Sequence, residues 1–584
     1  MLKQESQSAH NKQQLKSSDP SRSVWVSASA GTGKTKVLTD RVLKLLLSNV
    51  SPHKILCLTF TKAAATEMLS RINNELKTWS CSSNEFLLQR LYILLGREAT
   101  SEELSLSKKL FNILLKSSNF VQIQTIHGFC QSLLRLFPLE ACLAPGFEVI
   151  DEIKASDLIE KVSHRIFANI TSEEMDETAR FMETNIHDTS LITLQSEIIN
   201  SRVKFKGLID HFQNGENYAS YLAQQMSIEK SKEEYFEDFA NFIDGVGLID
   251  QDLGGESAVA YNSYFFLAKN ERISSFDHLK IAFLTKLGEM RKKLIPREIV
   301  KEHPDLEEKL RNIQTAVFEL DQNIKSISLI NASKHLFVLS KSLITEYENE
   351  KKYQGYLDYD DLIYYSLRLL SDSEFREWVL YKLDGGIEHI LIDESQDTSP
   401  QQWKIIASLM QEFYSGGDER GRTIFVVGDE KQSIYSFQGA DINTFKGMKE
   451  FLHYNMTQSL KAYENIDLAS SYRSTFSVID FVHKTFEKVT HLYGDIFPNG
   501  VSLECFRSDS PGRVELWPSI CSEEEEDLFW PEFNRSSPTE TSSQLMSKAI
   551  AKYIKNQMDS GVILASTKRK ISAGDIMILV RKRS

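Results

Sequence analysis

The chain has 584 residues, 41% of them hydrophobic and 26% charged, with a formal net charge of −13; that length exceeds one domain and accommodates about three or four. The acidic balance excludes a basic coat for nucleic acid, so any DNA site has to be a local groove. The six cysteines, at 57, 81, 130, 142, 505 and 521, contain no CxxC pair, which argues against zinc, an iron–sulfur cluster or a disulfide framework.

The polar N-terminus, "MLKQESQSAHNKQQLKSSDP", lacks the apolar core of a signal peptide. No apolar run approaches the ~20 residues needed to cross a bilayer, and the sequence reads as a cytoplasmic protein with no membrane partner. Residues 24–27 (Val-Trp-Val-Ser) predict a short strand, followed by "ASAGTGKT" (28–35) and a helix over "KVLTDRVLKLLL" (36–47). A second strand, "KILCLTF" (54–60), runs into a helix over 62–76, and a third, "FVQIQ" (120–124), leads to a helix in "TIHGFCQSLLRLF" (125–137). Nearly continuous apolar strands alternating with helices predict an α/β fold whose parallel sheet is covered on both faces.

From about 151 to 350 the text turns Glu/Lys/Leu-rich with helical spacing: Leu158, Val162 and Ile166 share one face, as do Leu336, Leu339 and Leu343. This block reads as a large helical insertion within the α/β domain. Strands are expected again at 388–392, 423–428, 513–517 and 575–580, and the acidic run 522–530 reads as a solvated loop.

The loop at 28–35 is a P-loop placed after a strand and opening a helix. Its glycines allow the backbone N–H groups of Ala28, Ser29, Ala30, Gly31, Thr32 and Gly33 to turn inward on a phosphate, helped by the helix dipole. Lys34 is positioned for the β- and γ-phosphates of ATP, and the Thr35 hydroxyl for Mg²⁺. Ala28 stands where the plain G-x-x-x-x-G-K-[ST] pattern has glycine. The stretch "ILIDESQDTS" (390–399) ends an apolar strand in two carboxylates. Asp393 suits Mg²⁺, directly or through water, and Glu394 suits the base that orients and deprotonates the attacking water. Ser399, Pro400 and Gln402 read as an N-cap, a first-turn proline and a capping-box partner.

With these motifs in view, the sequence resembles superfamily 1 DNA helicases of the UvrD/RecB type, and within them the alphaproteobacterial AddA branch. The resemblance is carried in order by "LTFTKAAATEM" (58–68), "TIHGFCQSLLRLFPLEACLAPGFEVID" (125–151), "LDYDDLI" (357–363), "LIDESQDTSPQQW", "VVGDEKQSIYSFQGAD" (426–441), "SYRST" (471–475), "GRVELWP" (512–518) and "AGDIMILVRKR" (573–583). It implies RecA-like sheets, with a first RecA-like domain at 1–150 and 351–455, the insertion at 151–350, and part of a second RecA-like domain at 456–584. It implies that Gln14 reads adenine, Tyr472 lies beside it, Gln432 senses the γ-phosphate and Arg473 reaches that phosphate from the second domain. It implies DNA contacts at Phe60, Thr61, His127, Tyr435 and Phe437. His127, opening a helix, reads equally as a cap.

Two departures, Gln438 for an arginine and Lys62-Ala63 for Asn-Lys, follow the AddA branch. No stretch after Arg473 resembles the later helicase motifs or a RecB-type nuclease, so a truncated second RecA-like domain is expected. The resemblance implies an ATP-dependent 3′–5′ helicase/translocase that acts in recombinational repair at double-strand DNA ends. The partner it implies is an AddB-type nuclease subunit. A second polypeptide could carry the missing half. The rival readings are an ATP- and DNA-binding remnant without motor activity, and a P-loop ATPase whose substrate is not nucleic acid.

Overall fold

In the computed structural model, the described residues are 12–116, 121–170, 172–371, 374–384, 386–414, 421–489, 503–520, 542–565 and 567–580. The chain divides into two compact units, one formed by Met1–Pro145 with Asp360–Ser584 and the other by Gly146–Tyr359.

The first unit is built on a six-stranded sheet. Its strands are β1 (Ser23–Ala28), β2 (Ile55–Thr59), β3 (Gln122–Thr125), β4 (His389–Ile392), β5 (Thr423–Gly428) and β6 (Tyr463–Leu468). Their order is β3-β2-β4-β5-β1-β6, and all five pairings are parallel. Val26 of β1 lies opposite Val427 on one side and Ile466 on the other. Strands β2, β4 and β5 are buried along their whole length, whereas the edge strands β3 and β6 are half-buried or alternate. That contrast explains why the central strands read as unbroken apolar runs. Helix α1 (Lys34–Leu47) covers one face, where Val37, Leu38, Val42 and Leu45 meet Val24, Ile55 and Phe425 in the main core. Trp25 points to the opposite face, stacked on Trp403 of the helix Pro400–Met410 and tilted against Phe445. Helices α2 (Lys62–Cys81) and α3 (Ile126–Leu136) follow β2 and β3.

Two of the expected strands are corrected. Residues 513–517 run as irregular backbone with Leu516 exposed, and 573–575 form a short 3₁₀ turn followed by unpaired residues 576–580, where Met577 and Leu579 are exposed. A strand needs a neighbour for its N–H and C=O groups, and among the described residues neither segment has one. The acidic run 522–530 lies outside the described residues.

The second unit is helical apart from a parallel pairing of Glu148–Val149 with Tyr356–Leu357 and an isolated bridge between Leu284 and Met290. Its spine is the 51-residue helix Pro304–Gln354, which starts with proline in its first turn and stops at Gly355 in the left-handed region (φ 68°). The first half of the spine supplies Leu310, Ile313 and Val317 to a cluster around Phe239, Tyr261 and Phe283. The second half supplies Phe337, Leu339 and Leu343 to another, around Leu158, Val162 and Ile166. Glu350 accepts hydrogen bonds from Lys161 and Arg165 of the helix Glu152–Ala168, and these hold its carboxyl down at about 2. Among the described residues no helix is long and apolar enough to cross a membrane.

Candidate functional site

The site lies where the strands of the first unit end. Between β1 and α1 the chain turns through Gly31 (φ 78°) and Gly33 (φ 92°), both in the left-handed region that side chains disfavour. Thr32, buried, donates its hydroxyl to the Ser29 carbonyl at 2.8 Å, closing the loop on itself. Ala28 is the buried end of β1, Ala30 is exposed, and Thr35 lies half-buried in the first turn of α1. Gly31 is also a point of close approach. A Cβ there would fall 2.6 Å from Cβ of Arg473 and 3.0 Å from Ser471 Oγ, and the Gly31 carbonyl accepts the Tyr472 N–H at 2.8 Å. The backbone at 471–473 therefore lies against the P-loop, with the Arg473 side chain exposed and the Tyr472 ring against Phe506 at 4.6 Å. Gln14, buried in a helical turn over 12–17, accepts from Lys36 Nζ at 2.9 Å, and its Nε2 lies 3.2 Å from where a Gly33 Cβ would sit.

Across from the P-loop, β4 delivers Asp393, whose N–H donates to the Leu58 carbonyl of β2 at 2.9 Å. Glu394 follows in the left-handed region (φ 49°, ψ 44°), an uncommon conformation for a non-glycine residue and one found at functional sites. Its Oε2 accepts Lys34 Nζ at 2.9 Å, so lysine and carboxylate, remote in sequence, form an ion pair. Asp393 is buried, and burial first and the neighbouring Glu394 charge second push its carboxyl up to about 6, with Lys34 opposing. Asp397 is likewise pushed up to about 6, again by burial and then Glu394. The expected cap is present: Ser399 and Gln402 form a capping box with Pro400 in the first turn.

The donor set fits Mg²⁺. A buried carboxylate beside a second one, with one lysine paired to them, is short of positive charge, and Asp393 and the Thr35 hydroxyl offer oxygen donors of the kind Mg²⁺ takes. Among the described residues no three His, Cys, Asp or Glu side chains converge as an all-protein cage. Mg²⁺ characteristically takes one or two carboxylates together with substrate phosphates, so a site with few carboxylates is compatible with it.

Beyond β5, Gln432 donates to Asp429 Oδ2 at 2.5 Å. The chain then carries Tyr435 and Phe437 to the surface. Phe60, leaving β2, packs against Tyr435 with ring centroids 4.7 Å apart, and Tyr435 against Phe437 at 5.7 Å. The three rings form a row that ends on Phe437, which is 77% exposed. Thr61 caps α2, accepting from the Ala64 N–H. His127 is not the cap of α3: that role belongs to Thr125, whose hydroxyl oxygen accepts the Gly128 N–H at 3.1 Å. His127 sits half-buried in the first turn; burial lowers its pKa and the Asp360 carboxylate opposes the shift.

Sequence reasoning named the two acids and left Gln396, Asp429 and Ser433 without a role, although all three join the hydrogen-bond network of the site. The available signal was their position directly behind Asp393-Glu394 and directly behind β5.

The family model for the UvrD/REP helicase N-terminal domain matches residues 9–453. The chain is 26% identical over 608 residues to the A subunit of the ATP-dependent helicase/nuclease of Listeria monocytogenes serotype 4b (strain F2365), covering 96% of this chain and 46% of that protein. It is 26% identical over 504 residues to the protein of the same name from Clostridium novyi (strain NT), covering 80% and 38%. For that of Bacillus cytotoxicus the identity is 26% over 609 residues, covering 96% and 46%. The chain spans about half the length of the curated relatives it matches.

Proposed function

Because this chain belongs to the UvrD/REP helicase N-terminal domain family, we propose that it is the ATP-binding portion of an ATP-dependent 3′–5′ DNA helicase/translocase acting in recombinational repair of double-strand breaks. The observation that carries this reading is one end of the sheet, where β1, β2, β4 and β5 finish, with two kinds of chemistry: the Lys34–Glu394 pair at 2.9 Å and the exposed row Phe60, Tyr435, Phe437.

The backbone N–H groups of 29–34 and the Lys34 ammonium receive the β- and γ-phosphates of ATP. Thr35 and Asp393 hold Mg²⁺, which when bound neutralises charge developing on the transferred phosphoryl group. Glu394 is released from Lys34 as the ammonium turns to phosphate, and it then orients the attacking water and takes its proton. Gln432 senses the γ-phosphate, and Arg473, lying over Gly31, stabilises its charge and reports closure. Gln14 and Tyr472 hold the adenine. Phe60, Tyr435 and Phe437 stack under successive bases of single-stranded DNA, a mode that needs no sequence readout, while Thr61 and His127 contact the strand beside them. The substrate class is single-stranded DNA leading into duplex ends, the working compartment the cytoplasm, and the partner an AddB-type nuclease subunit.

Fluorescence anisotropy of a labelled oligo-dT, with and without Mg²⁺ and ATPγS, tests the reading. It predicts binding that responds to nucleotide and weakens in Phe437→Ala. Equal affinity in all four combinations would contradict it.

A further inference from the structure

The helical unit, Gly146–Tyr359, holds a cavity of about 260 Å³ among three helices: Lys232–Val246, Gln251–Phe265 and Lys269–Phe283. That volume is just under the roughly 300 Å³ at which ligand pockets begin, so its occupant has to be compact. Phe236, Phe239 and Ala240 line it from the first helix and Ile273 from the third, which makes most of its wall apolar.

Two polar side chains line the same cavity. Tyr264 is 3% exposed and Arg272 8%. The Arg272 guanidinium is only partly committed. Its Nε donates to the Leu267 carbonyl at 3.2 Å and its Nη2 to the Phe265 carbonyl at 2.7 Å, which satisfies the C-terminal end of the helix Gln251–Phe265. Its Nη1 and the Tyr264 hydroxyl are both buried, and neither has a hydrogen-bond partner among the described residues. Asp244 brings a carboxylate within 3.5 Å of Nη2, on the other prong of the fork, and that carboxylate is exposed. Burial pushes the Tyr264 phenol up to about 12, so its hydroxyl stays neutral and can donate.

A buried donor without an acceptor forfeits its hydration, and a buried charge calls for a counter-charge. An oxygen acceptor with negative charge answers both needs, and a carboxylate has two oxygens, one for each donor. The group attached to it then lies against Phe236, Phe239, Ala240 and Ile273. Glu233 and Glu237, exposed and one helical turn apart, line the solvent side of the cavity. They repel small multivalent anions, whereas their effect on a single carboxylate held at Arg272 is weakened by solvent and salt.

We propose that this cavity binds a compact, apolar monocarboxylate, held by Arg272 Nη1 and the Tyr264 hydroxyl. The site belongs to the helical unit and does not rest on the function proposed above.

Saturation-transfer NMR and calorimetric titration of the full chain with phenylacetate test it. Phenylacetamide, similar in shape and uncharged, and inorganic phosphate, charged and without an apolar body, serve as the comparison probes. The expected result is a millimolar Kd for phenylacetate, binding of phenylacetamide weaker by about tenfold or more, and no competition from phosphate. Tyr264→Phe, which removes only the hydroxyl, should raise the Kd for phenylacetate by about threefold or more. Ala240→Leu, which fills the cavity, should abolish binding; should it fold poorly, Tyr264→Phe carries the test alone. Wild-type affinity in Tyr264→Phe would overturn the proposal, as would equal binding of the amide or displacement by phosphate. No binding of phenylacetate at millimolar concentration would also overturn it, leaving water as the partner of the two donors.

Discussion

The phosphate pocket and the aromatic row lie at one end of the sheet, after β1, β2, β4 and β5, and are held by opposite means. In the pocket, Asp393, Gln396 and Asp397 are buried, Glu394 is held in a left-handed conformation, and each acid is tied to a neighbour by a hydrogen bond or an ion pair. In the row, Tyr435 is half-buried, Ile434 and Phe437 are 69% and 77% exposed, and the rings touch one another. A buried polar group must be satisfied from within, so its chemistry can be read from its partners. Exposed aromatic surface has no such internal account, and its explanation is what stacks on it.

The sharpest way to break this contrast is to remove the base. Glu394→Gln keeps the shape of the pocket, so nucleotide affinity should persist while ATP turnover falls by about 10²- to 10⁴-fold, the usual worth of general-base catalysis; wild-type turnover in a steady-state assay would remove Glu394 from that role. Lys34→Ala should lower turnover by about 10²- to 10³-fold and weaken nucleotide binding, as measured by titration with a fluorescent analogue. Phe437→Ala belongs to the other half. It should leave nucleotide binding untouched and weaken single-stranded DNA binding by about 1–3 kcal/mol; unchanged anisotropy would make the ring a packing residue.

The smallest effect is on pH dependence. The Asp393 carboxyl is raised from its ordinary 3.8 to about 6, so its protonated form is favoured in the folded chain. Its contribution to stability is present below the unfolded value and is lost as pH rises through about 6. A divalent cation competes with that proton, so the rise in Tm on adding Mg²⁺ and ADP should grow between about pH 5 and about pH 7, and Asp393→Asn should flatten it.

How much of this was legible depended on whether a residue's partners lie near it in sequence. "TIFVVG" and "DIMILV" are both short apolar runs, yet the first is a buried strand between β4 and β1 and the second is unpaired, because strandedness depends on neighbours that the run itself does not name. The P-loop was legible since its glycines, lysine and threonine act within a few residues of each other. The capping box at 399–402 was legible for the same reason. His127 as a cap was a misplacement by two residues, since Thr125 carries the hydroxyl. The Lys34–Glu394 pair could be guessed from the chemistry of ATP sites. The bond from Gln396 to Asp429 could not, because it depends on the space that Gly428 leaves across two adjacent strands.

The most direct test is ATP hydrolysis by the 584-residue chain with and without oligo-dT, beside Lys34→Ala. The account predicts turnover that single-stranded DNA stimulates and that Lys34→Ala lacks. Turnover indifferent to DNA, or nucleotide binding with no turnover under either condition, would contradict it.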